Sequence, residues 1–289
     1  MKISPTAAAW LHDATLRLTE CGGSKKNRRE AALEAQVLLA HALNRPRAWL
    51  LAHPEVPLPP DLLAPLAQQL DRLAAGVPLP YLTGEQEFFG LDFEVTPDVL
   101  IPRPETELLV ETALAWLQAR SRQIITAADV GTGSGCIAVA LAHHAPNLRV
   151  FASDRSPAAL AVARRNLLRH SLLRRVTLLQ ADLLTALRGP LDLLCANLPY
   201  IPSGKLAHLS VARHEPRLAL DGGPDGLSLV AALLSDAPRL LAPGGLALLE
   251  IEAGQGPAAL QLAQAAFPHA RATVLPDLAG LDRLIKIEA

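Results

Sequence analysis

Aromatic residues make up only 3% of this 289-residue chain, methionine occurs once, and three cysteines are scattered at positions 21, 136 and 195. Each shortage excludes something. Cys21, Cys136 and Cys195 lie too far apart for metal-ligand spacing, so no metal site is expected. Cys136 and Cys195 sit in apolar contexts, as small core residues do. Nothing points to disulfides, which fits a reducing cytoplasm. No uninterrupted apolar run approaches the ~18 residues of a membrane span. His12 and Asp13 follow the short N-terminal apolar run too soon for a signal peptide. Neither sign of charge is in surplus: 27 basic and 28 acidic residues give a net charge of −1. A protein that grips nucleic acid mainly through its phosphates carries a basic surplus, so direct sequence-specific nucleic-acid binding is not expected.

What is present is 50% hydrophobic residues, enough for a substantial core in one large domain or two. Residues 1–75 carry apolar side chains at i, i+3, i+4 spacing over Ala7–Leu18, Arg28–Leu43 and Pro60–Ala75, broken at Gly22-Gly23 and Asn44-Arg45-Pro46. This predicts a small helical bundle whose charged faces meet either a partner or only water. The pattern changes at Gly76-Val77-Pro78-Leu79-Pro80. Tyr81 to Thr83 and then Phe88 to Val95 read as extended, with a break at Gly84, which predicts a hairpin linker over 76–100. Three of the five phenylalanines fall between 88 and 93, where they can anchor that linker to the larger domain.

Ile101-Pro-Arg-Pro-Glu-Thr-Glu107 follows. Pro104 suits a first helical position, and Glu105 and Glu107 suit the positive end of the helix dipole. Arg103, fixed between two prolines, is either a solvated helix start or a guanidinium held for a purpose. From 124 onward strand and helix alternate. Strands are predicted at 124–130, 149–153, 176–180, 191–196 and 246–252, helices at 134–144, 157–170, 227–241 and 255–267, and a closing hairpin at 272–275 and 283–288. Such alternation predicts an α/β fold: a mostly parallel sheet covered on both faces, with right-handed crossovers.

Four polar stretches end successive strands, at the sheet edge where open α/β folds bind ligands. Asp129-Val-Gly-Thr-Gly-Ser-Gly135 permits a sharp turn and close backbone approach. The dinucleotide fingerprint fails here, because its third glycine position is Cys136. Ser153-Asp154 presents a carboxylate able to take both hydroxyls of a ribose. In Ala181-Asp182-Leu183 the acid can accept from an adenine amino group while Leu183 covers the ring. Asn197-Leu198-Pro199-Tyr200 closes the fourth strand. Pro199 restricts Leu198, whose carbonyl then has little freedom; Asn197 adds a side-chain acceptor and Tyr200 a flat face. Together they make a socket for a planar group bearing an NH2. Taken singly, each stretch reads sooner as a helix cap or a turn, or for the last a turn with a buried tyrosine, than as a site; all four at the ends of successive strands do not.

In this order the motifs resemble the class I S-adenosylmethionine-dependent methyltransferases, and Asn197–Tyr200 is similar to the Asn-Pro-Pro-Tyr motif of enzymes that methylate planar nitrogens. Pro80-Tyr81-Leu82-Thr83-Gly84, Phe88-Phe89-Gly90-Leu91, Ile101–Glu107, Glu215-Pro216, Ala219-Leu220, Gly244-Gly245 and Gly280-Leu-Asp-Arg283 resemble the HemK/PrmC family. That family methylates the glutamine amide of the Gly-Gly-Gln motif in peptide chain release factors. The likeness runs from about 80 to 289. It departs at Leu198, where the family usually has proline, and at Glu250-Ile-Glu-Ala-Gly254, where it more usually has Glu-Ile-Gly.

The resemblance implies a seven-stranded, mostly parallel, Rossmann-like methyltransferase sheet over 101–289, a hairpin linker over 76–100 and a substrate-docking helical bundle over 1–75. It implies S-adenosyl-L-methionine held by Gly131, Thr132, Gly133, Ser134, Gly135, Asp154, Asp182, Leu183 and Asn197. Asn197, Leu198, Pro199 and Tyr200 are the implied catalytic residues, with the Asn197 side chain and the Leu198 carbonyl accepting from the reacting amide. Release factors are the implied partners, and the enzyme is expected to be a cytoplasmic monomer. Because Asn-Leu-Pro-Tyr also occurs in ribosomal RNA adenine dimethylases, adenine methylation of RNA or DNA is the alternative. A non-catalytic S-adenosylmethionine-binding protein is the third reading.

Overall fold

The computed structural model describes residues 4–21, 27–120 and 124–289, which form two compact units, Met1–Gly84 and Glu85–Ala289. The first is helical: α1 (Ala7–Cys21), α2 (Arg28–Ala42), α3 (Arg47–Ala52), α4 (Pro60–Ala74) and α5 (Leu79–Thr83). Asn27 and Glu30 start α2 with a reciprocal capping box. Pro60 opens α4, where a missing N–H costs nothing. Leu18, Leu38, Leu39, Leu50, Leu66 and Leu73 fill the core of this unit. The expected Gly22-Gly23 break lies outside the described residues. Two helices differ from expectation. α3 is too short to show a period. Tyr81–Thr83, expected to be extended, is helical, because Pro78 and Pro80 occupy a helix start rather than a linker. Gly84 (φ +77°) caps the other end, its N–H donating to the Pro80 carbonyl.

The second unit opens with an antiparallel hairpin, β1 (Glu85–Phe88) and β2 (Leu91–Glu94). Its turn is Phe89-Gly90, not Gly84, and both turn residues have positive φ, as two-residue hairpin turns require. The Phe89 N–H donates to Glu107 Oε1 (2.8 Å), and Phe88 and Phe93 are buried in the core of this unit.

Seven further strands form one sheet: β3 (Ile125–Val130), β4 (Leu148–Asp154), β5 (Val176–Gln180), β6 (Leu191–Ala196), β7 (Leu241–Glu250), β8 (Arg271–Pro276) and β9 (Asp282–Glu288). Their order is β5-β4-β3-β6-β7-β9-β8. The first five are parallel, and antiparallel β9 lies between β7 and β8. The accompanying helices are α6 (Glu107–Gln118), α7 (Cys136–His144), α8 (Pro157–Arg169), α9 (Ser228–Asp236) and α10 (Gly256–Ala266). Side chains alternate between two cores. Ile125, Ala127, Leu193 and Cys195 join the core containing α6 and α7, whereas Ala128, Val130, Leu194 and Ala196 join that containing α9 and α10. α9 stops sooner than expected, at Asp236, with Pro238 just beyond. β7 starts sooner, at Leu241, which pairs with Leu191 across a register shift. Chain order reverses between β4 and β6, on either side of β3, and the cleft lies at the carboxyl ends of these strands. Among the described residues no helix is long and apolar enough to cross a membrane.

Candidate active site

A cleft of about 600 Å³ opens at this edge, a size typical of small-molecule sites. It gathers Gly131, Thr132, Gly133 and Ser134 from the end of β3, Asp154 from β4, Asp182 and Leu183 after β5, and Asn197, Leu198 and Pro199 after β6. Gly135 and Tyr200, also expected at the site, do not line it. Gly135 packs behind the turn, where a Cβ would come within 3.2 Å of Ala163, and Tyr200 directs its hydroxyl to Glu250.

The glycine turn is held from below. Gly131 and Thr132 both donate their N–H to the Ser153 carbonyl at 2.9 Å, and Gly133 donates to Asp154 Oδ2 at 2.9 Å. Those three N–H groups are therefore engaged within the protein. The turn is no phosphate cradle, which needs its amides pointed at the ligand. Gly131 (φ +73°) has a second constraint: a Cβ there would lie 3.0 Å from Leu198 Cδ2. The socket leucine thus occupies the space that glycine leaves open.

Asp154 Oδ1 accepts from the Ser156 N–H (2.9 Å), so one carboxylate ties the turn to the start of α8. Asp129 is fully buried. Its Oδ2 accepts from the Thr132 hydroxyl (2.6 Å) and the Ala138 N–H (3.1 Å), while Oδ1 has no partner. Burial pushes its pKa up to about 6, against the pull of those two hydrogen bonds. Leu183 adopts φ +47°, and the Ser153 hydroxyl donates to its carbonyl (3.4 Å). Burial pushes the Cys136 thiol up to about 12 and raises Cys195 as well, so neither is a nucleophile at neutral pH.

At the socket, Asn197 Nδ2 donates to the buried Thr106 Oγ1 at 3.0 Å, which turns Asn197 Oδ1 away from that contact. The Tyr200 hydroxyl donates to Glu250 Oε1 at 3.4 Å, and Gln255 Nε2 donates to the Tyr200 carbonyl at 3.0 Å. Burial pushes the Glu250 pKa up to about 7, against Thr106, Arg283 and Tyr200. Burial, and then Glu250, raises the Tyr200 phenol, which stays protonated. Arg103 lines the cleft paired with Glu215, whose other oxygen accepts from the Ile101 N–H at 3.2 Å.

Sequence reasoning left Thr106, Glu215 and Glu250 without a role at the site. Thr106 reads as a helix-start residue. Glu250 carries the signal that revealed Asp154 and Asn197, a polar residue closing an apolar strand. Running the strand on to Glu252 hid it. Asn166 was also missed: its side chain accepts from the Glu94 N–H (2.7 Å) and donates to the Glu94 and Ser134 carbonyls, linking the hairpin to the glycine turn.

Two families match the chain: the PrmC N-terminal domain over residues 9–84 and the methyltransferase small domain over 105–217. The release factor glutamine methyltransferase of Moorella thermoacetica is 52% identical over 275 residues, covering 94% of this chain and 95% of the relative. That of Cereibacter sphaeroides is 45% identical, covering 89% and 90%. Among solved structures, the Thermus thermophilus 16S rRNA N2 G1207 methyltransferase in complex with AdoMet and guanosine superposes with a TM-score of 0.51 at 19% identity. The overlap covers 71% of this chain and 49% of that one, a likeness of fold.

Proposed function

The chain belongs to the release factor glutamine methyltransferase family, and from that premise we propose that it methylates the side-chain amide nitrogen of the Gly-Gly-Gln glutamine in peptide chain release factors, with S-adenosyl-L-methionine as donor. The donor supplies, when bound, a methyl group on a sulfonium that is already an activated leaving group. The residues present fit it. Asp154 has used one lone pair of each oxygen on backbone N–H groups, and a carboxylate keeps further sites for ribose hydroxyls. Asp182 and Leu183 line the same cleft, and a carboxylate beside an apolar side chain suits an adenine amino group and its ring. A turn whose amides are engaged internally suits a cationic ligand better than a phosphate.

The difficulty lies with the acceptor, because an amide nitrogen shares its lone pair with its carbonyl. Asn197 Oδ1 and the Leu198 carbonyl accept its two N–H bonds, which aims the lone pair at the donor and favours a pyramidal nitrogen. Rate then comes from positioning and electrostatics. The observation that carries this reading is the bond from Asn197 Nδ2 to Thr106 Oγ1, since it leaves the oxygen as the end of the amide available to a substrate N–H. We further propose that the helical unit binds the body of the release factor while the cleft takes the loop. Such a substrate puts the reaction in the cytoplasm.

The test is incubation with methyl-labelled S-adenosyl-L-methionine and either release factor or ribosomal RNA. Label should appear in the Gly-Gly-Gln peptide and vanish when that glutamine is replaced. Label in RNA would establish the adenine reading instead, and label in neither would leave a binding protein.

A further inference from the structure

Behind the socket, residues from three distant parts of the second unit meet. Asn197, after β6, donates from Nδ2 to Thr106 Oγ1 at 3.0 Å. Thr106 precedes α6, is 2% exposed, and has its hydroxyl against the Glu250 carboxyl, whose ionised form it favours. Glu250 ends β7, is 2% exposed, and accepts the Tyr200 hydroxyl on Oε1, while its Oε2 is buried with no partner. Threonine alone cannot orient an asparagine, because a hydroxyl both donates and accepts. An ionised carboxylate only accepts. An ionised Glu250 beside Thr106 gives the hydroxyl proton an acceptor, while the Thr106 oxygen takes the Asn197 NH2 and Asn197 Oδ1 is left for the cleft.

We propose that Thr106 and Glu250 are positioning residues for methyl transfer: Glu250 orients the Thr106 hydroxyl, Thr106 sets which end of the Asn197 amide faces the substrate, and the same carboxylate holds Tyr200. This rests on the function proposed above. It carries a consequence that a packing role does not. A protonated Glu250 can donate to Thr106, which frees the Thr106 proton for Asn197 Oδ1 and favours the reversed amide. That end would present N–H to a substrate N–H. The groups acting on Glu250 are Thr106, Arg283 and Tyr200, which favour its ionised form, and Glu105, which opposes it. Burial outweighs them and brings its titration to about 7, within reach of experiment.

The experiment uses the full chain with Thr106→Val, which keeps the shape and removes the hydroxyl, and Thr106→Ser, which restores it. Thr106→Val should lower kcat about 10–100-fold with donor affinity held within about twofold, the pattern of a lost transition-state alignment. Thr106→Ser should recover most of the rate. In the wild type kcat should fall as pH drops through about 7, and Thr106→Val should lose that limb. Independently of turnover, the Asn197 side-chain NH2 resonances should titrate in the same range in the wild type and stay flat in Thr106→Val. Unchanged kcat in a folded Thr106→Val, equal damage in Thr106→Ser, or flat Asn197 resonances in the wild type would each overturn the relay. A coupled titration in an enzyme that labels no release factor would sink the proposed function and leave the relay standing.

Discussion

The two units of this molecule are built on opposite principles. Every buried residue described in the helical unit is alanine or leucine, from Ala7 and Leu18 to Leu73 and Leu82. In the unit that follows, Thr106, Asp129, Thr132, Ser134, Ser153, Asn166, Glu215, Glu250 and Gln255 are all buried as well. A buried polar group costs free energy unless it is partnered, and a buried carboxylate costs more. A fold retains such groups where they hold something in place. Here they hold the glycine turn, the hairpin and the socket. The helical interior holds nothing but its own shape, so what that unit offers is its outside.

The sharpest way to break this contrast is at the socket. Asn197→Ala should lower kcat about 10²–10³-fold, as loss of one preorganised transition-state contact does. Donor affinity, measured by calorimetry, should largely survive. Near-normal turnover at saturating substrate would move the chemistry elsewhere. Removing residues 1–84 should act on binding instead. KM for intact release factor should rise about 10²-fold, because a second linked contact is lost, while KM for a short Gly-Gly-Gln peptide should barely move. Equal losses on both substrates would reduce the helices to a stabilising role.

The smallest effect separates the two interiors by pH. Folded Glu250 titrates at about 7 against its ordinary 4.5, so the folded state binds the extra proton between those values. Stability falls as pH rises through this window, the penalty is complete above pH 7 and it is absent below 4.5. Glu250→Gln removes it. After allowing for weaker hydrogen bonds from Thr106 and Tyr200, the gain should be on the order of 1–2 kcal/mol at pH 8 and near zero at pH 4. Leu38→Ala, in the helical core, should cost about 2–5 kcal/mol equally at both pH values. Denaturant melts of both variants at the two pH values make the comparison. A Glu250→Gln effect independent of pH would remove the carboxylate penalty.

By itself the sequence determined what is local. Parallel strands declare themselves as short apolar runs, and the residue that closes each run sits at the ligand edge whatever the rest of the chain does. That is why Gly131 to Ser134, Asp154, Asp182, Leu183 and Asn197, which line the cleft, were legible in the sequence. Turn geometry was less so: Phe89-Gly90 rather than Gly84 reverses the hairpin, because a phenylalanine at positive φ is rare and local propensity argues against it. Only the tertiary structure decided how the socket is held. Thr106 and Asn197 are 91 residues apart, and Tyr200 and Glu250 are 50 apart. No spacing links them, and the partner of each is chosen by which strands become neighbours in the sheet. A threonine just before a helix reads as a cap, yet Thr106 makes no side-chain cap to α6. Here the order β3-β6-β7 brings the ends of β6 and β7 side by side. Thr106 takes the Asn197 NH2 on its hydroxyl and favours the ionised form of the Glu250 carboxyl.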